Sequence, residues 1–299
     1  MWRELREGTL PGEASIHHVV ITRFATRMVV DAAPKREWVQ SRFDLFERYC
    51  LSSMQAQDRR DFSWLLLVDS AVDDDLTSRI RRYESVFAPI RVATVGPGHE
   101  QATVAQHVLA GVNASHSAIL TTRLDNDDAV STDYMNRLRA AAAGVSLGER
   151  RVIVFTHGYE LAHGRLYWRV FPRSPFASFL EPARPPNPPT TILGAEHEQV
   201  DALAPAITLG APAAWIQVVH GGNLVNRVRG LRVPRRSLAA RFAIEDDHVN
   251  EQESIAPLLF GMLGSALRLA WQLITTPRYW AKVGQVVGVR RGGSSTGSD

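Results

Sequence analysis

The sequence of 299 residues holds a single cysteine, Cys50. A lone thiol excludes any disulfide within the chain and any cysteine-built zinc site, and it fits a reducing, cytoplasmic compartment. Its apolar neighbours predict a buried position in a helix. The opening residues, Met1-Trp2-Arg3-Glu4-Leu5-Arg6-Glu7, contain no apolar run that could act as a secretion signal. Gly-x-x-x-x-Gly-Lys-Ser/Thr occurs nowhere, which removes P-loop enzymes. Residues 22–29 contain no glycine, whereas a nucleotidyltransferase is expected to carry a Gly-rich basic loop after its first strand. Strong net charge is lacking too. A formal charge of +3 with 45% hydrophobic residues describes a folded chain, long enough for one large α/β domain or two small ones.

The positive charge that exists gathers late. Arg227, Arg229, Arg232, Arg235, Arg236 and Arg241 are followed by Arg278, Lys282, Arg290 and Arg291. Such a cluster suits phosphates, an anionic membrane surface or simply a solvated face. No nucleic-acid-reading motif accompanies it, and Phe242 is the lone aromatic nearby, so nucleic acid is not an expected partner.

Hydrophobic periodicity sets out the first half of the chain. His18-Val19-Val20-Ile21-Thr22 reads as a buried strand, and Trp38, Phe43, Phe46, Tyr49, Cys50 and Met54 predict an amphipathic helix after Pro34. Trp64 to Val68 is a second strand ending at Asp69, and Asp73-Asp74-Asp75 opens a helix reaching about Tyr83. Ile90 to Val95 is a third strand, Ala102 to Val112 a helix, and Ala118 to Leu124 a fourth strand. Four strand–helix alternations predict a mostly parallel sheet flanked by helices. A helix from about Ser131 to Ala143 follows. Arg151 to Phe155 and Leu166 to Val170 are then expected as strands joined by a Gly-containing turn, forming an antiparallel extension. Pro182, Pro185, Pro186, Pro188 and Pro189 predict an extended loop at the rim of a cleft.

The fourth strand runs straight into Arg123-Leu124-Asp125-Asn126-Asp127-Asp128, three carboxylates within four residues. Carboxylates this close repel one another unless a cation joins them. Mg²⁺ or Mn²⁺ suits, because Asp-x-Asp at a strand end lets two side chains converge on one ion while substrate oxygens complete its shell. In open α/β sheets ligands bind at the carboxyl ends of strands, where this turn lies. The plainer alternative is that Asp127 and Asp128 begin and cap the next helix.

Several segments, in this order, resemble the putative rhamnosyltransferase family of GT-A-type glycosyltransferases. They are Thr22-Arg23-Phe24, Arg42-Phe43-Asp44-Leu45-Phe46, Ser53-Met54-Gln55-Ala56-Gln57, Phe62-Ser63-Trp64 with Asp69, and Arg123 to Asp128. Ser178-Phe179-Leu180-Glu181-Pro182 and Trp215 to Asn223 extend the likeness, which covers roughly residues 16 to 230. The resemblance implies a GT-A-type, Rossmann-like α/β fold. It also implies metal-dependent transfer of a sugar, rhamnose by the family's name, from a nucleotide-sugar donor to a glycan, lipid-linked or secondary-metabolite acceptor. Under it, Asp127 is a direct metal ligand and Asp125 a donor contact or second ligand; Asp128 either supports the metal ligands from behind or caps the next helix, the cap being favoured. Thr22, Arg23 and Asp69 hold the donor's base and ribose, Asp69 favouring a pyrimidine through its N–H. Arg123 offers a cation to phosphate, or pairs with the aspartates. His220, before Gly221-Gly222-Asn223, closes the metal site or contacts diphosphate. The general base is sought among Glu160, Glu181, Glu196, His197 and Glu198, with Glu181 and His197 best placed beside the Pro-rich segment. A nucleotidyltransferase and a degenerate GT-A scaffold at a membrane are the competing readings.

Beyond the GT-A-type domain at residues 1–240, an extension at 241–291 combines basic residues with an apolar helix, and 292–299 is a flexible tail. Ile255, Leu258, Leu259, Met262, Leu263, Ala266, Leu267, Leu269, Ala270, Leu273 and Ile274 leave Gly261, Ser265, Arg268 and Gln272 as a narrow polar stripe. Arg268 at the centre of a spanning helix would cost roughly 2.5–3.5 kcal/mol. The helix is therefore expected to lie on a membrane surface, at the inner face of the cell membrane through residues 255–291, or against a partner. Docking on the protein's own core is the alternative.

Overall fold

The computed structural model describes residues 12, 15–27, 32–220, 228–238, 241–245 and 254–275. Gly221 to Arg227, the basic residues Arg278, Lys282, Arg290 and Arg291, the tail at 292–299, and the side chains of His197 and Glu198 lie outside the described set. In chain order the first elements are β1 (Ile16–Ala25), α1 (Arg36–Leu45), a π turn (Phe46–Leu51), α2 (Ser52–Gln55) and β2 (Ser63–Asp69). Next come α3 (Asp74–Arg81), α4 (Tyr83–Val86), β3 (Ile90–Val95), α5 (Glu100–Gly111), β4 (Ala118–Arg123), β5 (Ala129–Val130) and α6 (Tyr134–Ala143). The remainder is β6 (Arg151–Phe155), β7 (His157–Ala162), β8 (Arg165–Val170), β9 (Ala177–Pro182), β10 (Ala206–Leu209), β11 (Trp215–Val219), β12 (Leu231–Val233) and α7 (Ile255–Thr275), with short 3₁₀ turns between.

Among the described residues the main sheet has seven strands in the order β10-β6-β9-β4-β1-β2-β3. β1 pairs in parallel with β2 and β4, and β2 with β3. Apolar side chains on both faces of these strands explain the arrangement. Val20, Phe24, Trp64, Leu66 and Val68 face the layer of α1 and α6, while Val19, Ile21, Leu65 and Leu67 face α5. This is the mostly parallel, helix-flanked sheet expected of the GT-A type.

The second half departs from expectation. β9 lies antiparallel between β4 and β6, so Ser178 to Glu181 form a central strand, and Pro182 is tolerated because it is the strand's last residue. Arg151 to Phe155 and Leu166 to Val170 do not form a hairpin. They fall in different sheets, because the chain kinks at Thr156 and β7 intervenes. The hairpin is β7–β8, turning through His163 and Gly164 at φ 49° and 65°. Two positive φ values in a two-residue loop match the right-handed twist of its strands.

β7 and β8 belong to a second sheet, ordered β12-β8-β7-β11-β5. Trp215 anchors it: its ring stacks on Phe176 at 4.9 Å and 7°, and its indole N–H donates to the Phe155 carbonyl at 2.8 Å. A Cβ on Gly158 would stand 2.0 Å from that ring, so β7 approaches β11 here only as glycine. β5 runs antiparallel to β11 and leads directly from the acidic turn. The carboxylates therefore sit where the chain leaves one sheet for the other.

α7 packs on β12 through the polar stripe. The Arg232 N–H donates to Ser265 Oγ at 3.0 Å, and Arg268 Nη2 to the Gly230 carbonyl at 2.9 Å. The stripe of Gly261, Ser265 and Arg268 thus faces inward, which accounts for an arginine in mid-helix. Among the described residues no helix is long and apolar enough to cross a membrane.

Candidate active site

The helical segment from α1 to α2 presents Val39, Phe43, Phe46, Cys50 and Met54 to the sheet, where Phe46 packs edge-on against Phe24 at 5.0 Å. Arg42 shares that inward face. An arginine there needs an acceptor, and the turn after β4 supplies it. Arg42 Nη1 donates to Asp127 Oδ2 at 3.0 Å, and its guanidinium lies 4.9 Å from the Trp38 ring centre. The same Asp127 oxygen meets His220 Nε2 at 2.9 Å, delivered from the end of β11. The structure thus joins Asp127 and His220, and adds Arg42, whose chemistry the sequence reading had passed over. An arginine spaced four residues from Trp38, within an apolar stripe, was the available signal.

The turn itself is held by its neighbours. Asn126 Nδ2 donates to the Phe24 carbonyl at 2.6 Å, and the Cys50 thiol to the Asp125 carbonyl at 3.4 Å, from the π turn that widens the helix beneath the carboxylates. Burial, followed by the charges of Asp128, Asp127 and Asp125, holds that thiol well above its usual range. Cys50 is therefore a neutral donor. Asp125 is exposed on the outer side of the turn.

Asp128 does not cap a helix. It is 3% exposed and accepts the Val218 N–H at 2.9 Å, tying the turn to β11; α6 begins only after Asp133. Burial first, then Asp127 and Asp125, push its carboxyl well above the carboxylate range. Both effects favour the neutral form of Asp128, which lessens the repulsion within the cluster.

The proposed donor-binding residues separate. Thr22 is buried, and its hydroxyl accepts the Trp64 indole N–H at 2.9 Å, so it is a core contact. Asp69 is clamped by Arg27 at 2.7 and 3.3 Å and accepts the Ala71 N–H at 2.8 Å. At 2% exposure it offers no acceptor to a base, which removes the basis for a pyrimidine preference. Arg123 turns away from the aspartates. Its Nη2 donates to the Ala195 and Ile192 carbonyls at 2.8 and 3.3 Å, which pins the loop after the prolines. Burial, then repulsion from Arg23, holds it below the usual guanidinium range. Arg23 remains at the rim, paired with Glu100 at 2.5 Å and within electrostatic reach of Glu196 and Asp125.

The candidate bases also sort by position. Glu181 is buried, and its oxygens accept the Thr190 and Thr191 N–H groups at 3.1 and 2.9 Å. It pairs with Ile119, six residues before Asp125, which places it roughly 20 Å down the sheet from the turn. This position corrects its expected catalytic role. Glu160 is buried against Arg169 and accepts the Arg229 and Gly230 N–H groups, both at 2.8 Å, so it fastens the chain into β12. Glu196 is exposed and follows the Ala195 carbonyl that Arg123 holds. The backbone of His197 opens the adjoining 3₁₀ turn.

Among the described residues no three His, Cys, Asp or Glu side chains converge as a metal cluster. The two that do meet, Asp127 and His220, are a carboxylate oxygen and an imidazole nitrogen 2.9 Å apart, a donor pair that suits Mn²⁺ and leaves positions for phosphate oxygens and water.

Comparison with solved structures finds matches at low identity. S. aureus TarS 1-349 matches at 12% identity and TM-score 0.40, over 68% of this chain and 60% of that one, less than two thirds of its length. Its complex with UDP-GlcNAc matches at 12% identity and TM-score 0.42, over 93% of this chain and 76% of that one. The mannosyltransferase PcManGT from Pyrobaculum calidifontis, solved with GDP-Man and Mn2+, matches at 12% and TM-score 0.37, over 96% and 85%. No curated protein matches the sequence. The family model described as "Putative rhamnosyl transferase" matches residues 10–232, well over half of the chain, and the protein belongs to that family.

Proposed function

We propose that the protein is a glycosyltransferase that moves a sugar, rhamnose by the family's name, from a nucleoside-diphosphate donor to a hydroxyl of a glycan, lipid-linked or secondary-metabolite acceptor. One observation carries the reading. In a member of this family, an aspartate at the carboxyl end of β4 and a histidine at the end of β11 meet at 2.9 Å. Strand ends of this kind are where α/β sheets bind ligands.

Asp127 and His220 would hold Mn²⁺ or Mg²⁺, with Asp125 reaching from the exposed side of the turn toward the donor. When bound, such an ion supplies Lewis-acid stabilisation to a departing diphosphate. The chain's own residues do the rest. Arg42 sets its guanidinium against Asp127 in a mostly buried wall and is the cation that an incoming ion would replace. Asp128 fixes the turn to β11 through the Val218 N–H. Arg23 offers a cation at the rim, where Glu100 orients it. Arg123 holds the Ile192 and Ala195 carbonyls and so fixes the loop that carries the exposed Glu196, which is within electrostatic reach of Arg23, and we assign Glu196 the acceptor's proton.

The test is a panel of nucleotide sugars, screened for metal-dependent thermal stabilisation and for donor hydrolysis. A ligand that binds only the native state raises its apparent stability. Stabilisation by at least one donor, lost in Asp127→Ala, is expected. A panel with no effect under either metal would sink the enzyme reading.

A further inference from the structure

The outer face of α7 is apolar along its whole length. Ile255, Leu259, Leu263, Leu267 and Trp271 recur every fourth residue at 74%, 59%, 60%, 62% and 65% exposure, with Phe260 beside them at 76%. The stripe spans roughly 24 Å at 1.5 Å per residue. The opposite face is fixed on β12 by Ser265 and Arg268, so the helix cannot roll the stripe inward without breaking those bonds. Six large apolar side chains within one half of the helix circumference make a continuous interaction surface, unlike scattered single exposed residues.

The charges around it select the occupant. Residues 228–238 and 254–275 contain Arg229, Arg232, Arg235, Arg236 and Arg268 and no aspartate or glutamate, while the stretch between them carries Glu245, Asp246, Asp247, Glu251 and Glu253, so the acids precede the helix and the cations follow it. Arg165 stands close to Arg232, and together with burial it and Arg235 hold the Arg232 guanidinium below its usual range. Arg165, Arg229 and Arg236 are exposed. The sequence beyond 275 adds Arg278, Lys282, Arg290 and Arg291, and no acid before Asp299. Arg232 and Arg268 are taken up by the inward face, so the cations open to a ligand are the exposed Arg165, Arg229 and Arg236 and the basic residues that follow the helix in sequence; an anionic lipid surface accepts both these cations and the apolar stripe.

We propose that α7 docks the protein on anionic membranes, lying in the interface plane with Leu259, Phe260, Leu263, Leu267 and Trp271 among the acyl chains and the arginines at the headgroups. This surface is independent of the glycosyl-transfer reading.

Co-sedimentation of the full chain with vesicles tests it. Binding to phosphatidylglycerol-rich vesicles is expected, weaker on pure phosphatidylcholine and weakened by salt, with a blue shift in tryptophan emission. The double variant Leu263→Glu/Leu267→Glu changes only exposed positions and is expected to lower partitioning by at least about tenfold, whereas Leu263→Phe retains it. Light scattering and circular dichroism verify that each variant is folded. Three results would overturn the proposal: no binding of the full chain to anionic vesicles, equal binding by the double variant, or a soluble dimer that the double variant dissolves.

Discussion

Arg42→Met removes the cation at Asp127 while keeping a long apolar stem in the wall. A unit charge pair about 4 Å apart is worth about 4 kcal/mol at an effective dielectric of 20. Three features reduce the net loss. Asp127 is 14% exposed, so water recovers part of its solvation, and His220 remains as a second partner. The Arg42 Nε–H is buried without an acceptor among the described residues, and removing it returns about 1 kcal/mol. The expected cost is about 2 kcal/mol, a fall in Tm of about 3 °C for a chain of this size. Divalent metal should reverse it. In the wild type an ion at Asp127 must displace Arg42, so that cost weakens its binding by about thirtyfold, and Arg42→Met should bind Mn²⁺ tighter by that factor in donor-free protein. Calorimetric melting with and without Mn²⁺, together with a spectroscopic Mn²⁺ titration, reads both quantities. Wild-type Tm in the metal-free variant, or unchanged Mn²⁺ affinity, would refute Arg42 as the resident cation. Absence of Mn²⁺ binding to either protein in the presence of nucleoside diphosphate would instead refute the metal site.

Asp128→Asn keeps an acceptor for the Val218 N–H and should fold and bind donor normally, whereas Asp128→Ala strands that buried N–H and should cost about 1–3 kcal/mol in urea unfolding. Glu181→Gln should lose about 1–2 kcal/mol through weaker acceptance from Thr190 and Thr191 yet leave transfer intact, and a dead but folded variant would restore Glu181 to the active site. Burial, then His116 and Arg139, lowers the His17 pKa to about 4. The unfolded chain therefore binds the proton first: the His17 contribution is complete above pH 6.5 and is lost as pH falls toward 4. Discounted for partial exposure, the loss is about 1–2 kcal/mol, and His17→Gln should flatten the urea midpoint between pH 7 and about 4.5.

How far the fold was legible follows the periodicity. β1 to β4 carry near-continuous apolar runs, and their places as parallel strands were plain from composition alone. β7, with the sequence HGYELA, mixes glycine, histidine and glutamate, because its Gly158 and Glu160 serve Trp215 and the Arg229–Gly230 backbone. Those constraints come from residues more than fifty positions away. β9 was obscured by the prolines that follow it. In the site, Asp127 and His220 meet because strand ends converge in this topology. Thr22, Arg123 and Glu181 also lie on or just beside strands, but side chains alternate between faces and distance runs along the strand. Neither the face nor the end of the sheet is set by a short motif. Likewise the stripe of Gly261, Ser265 and Arg268 was visible, but only β12 shows that it points inward.

The central claim is that the turn after β4 binds a nucleotide sugar through Asp127. Titration calorimetry of one stabilising nucleotide sugar against the wild type, Asp127→Ala and Asp128→Asn, each with Mn²⁺, tests it most directly. Saturable binding by the wild type and Asp128→Asn, and its loss by about a hundredfold or more in a folded Asp127→Ala, is the predicted result. Equal affinity of Asp127→Ala would contradict it.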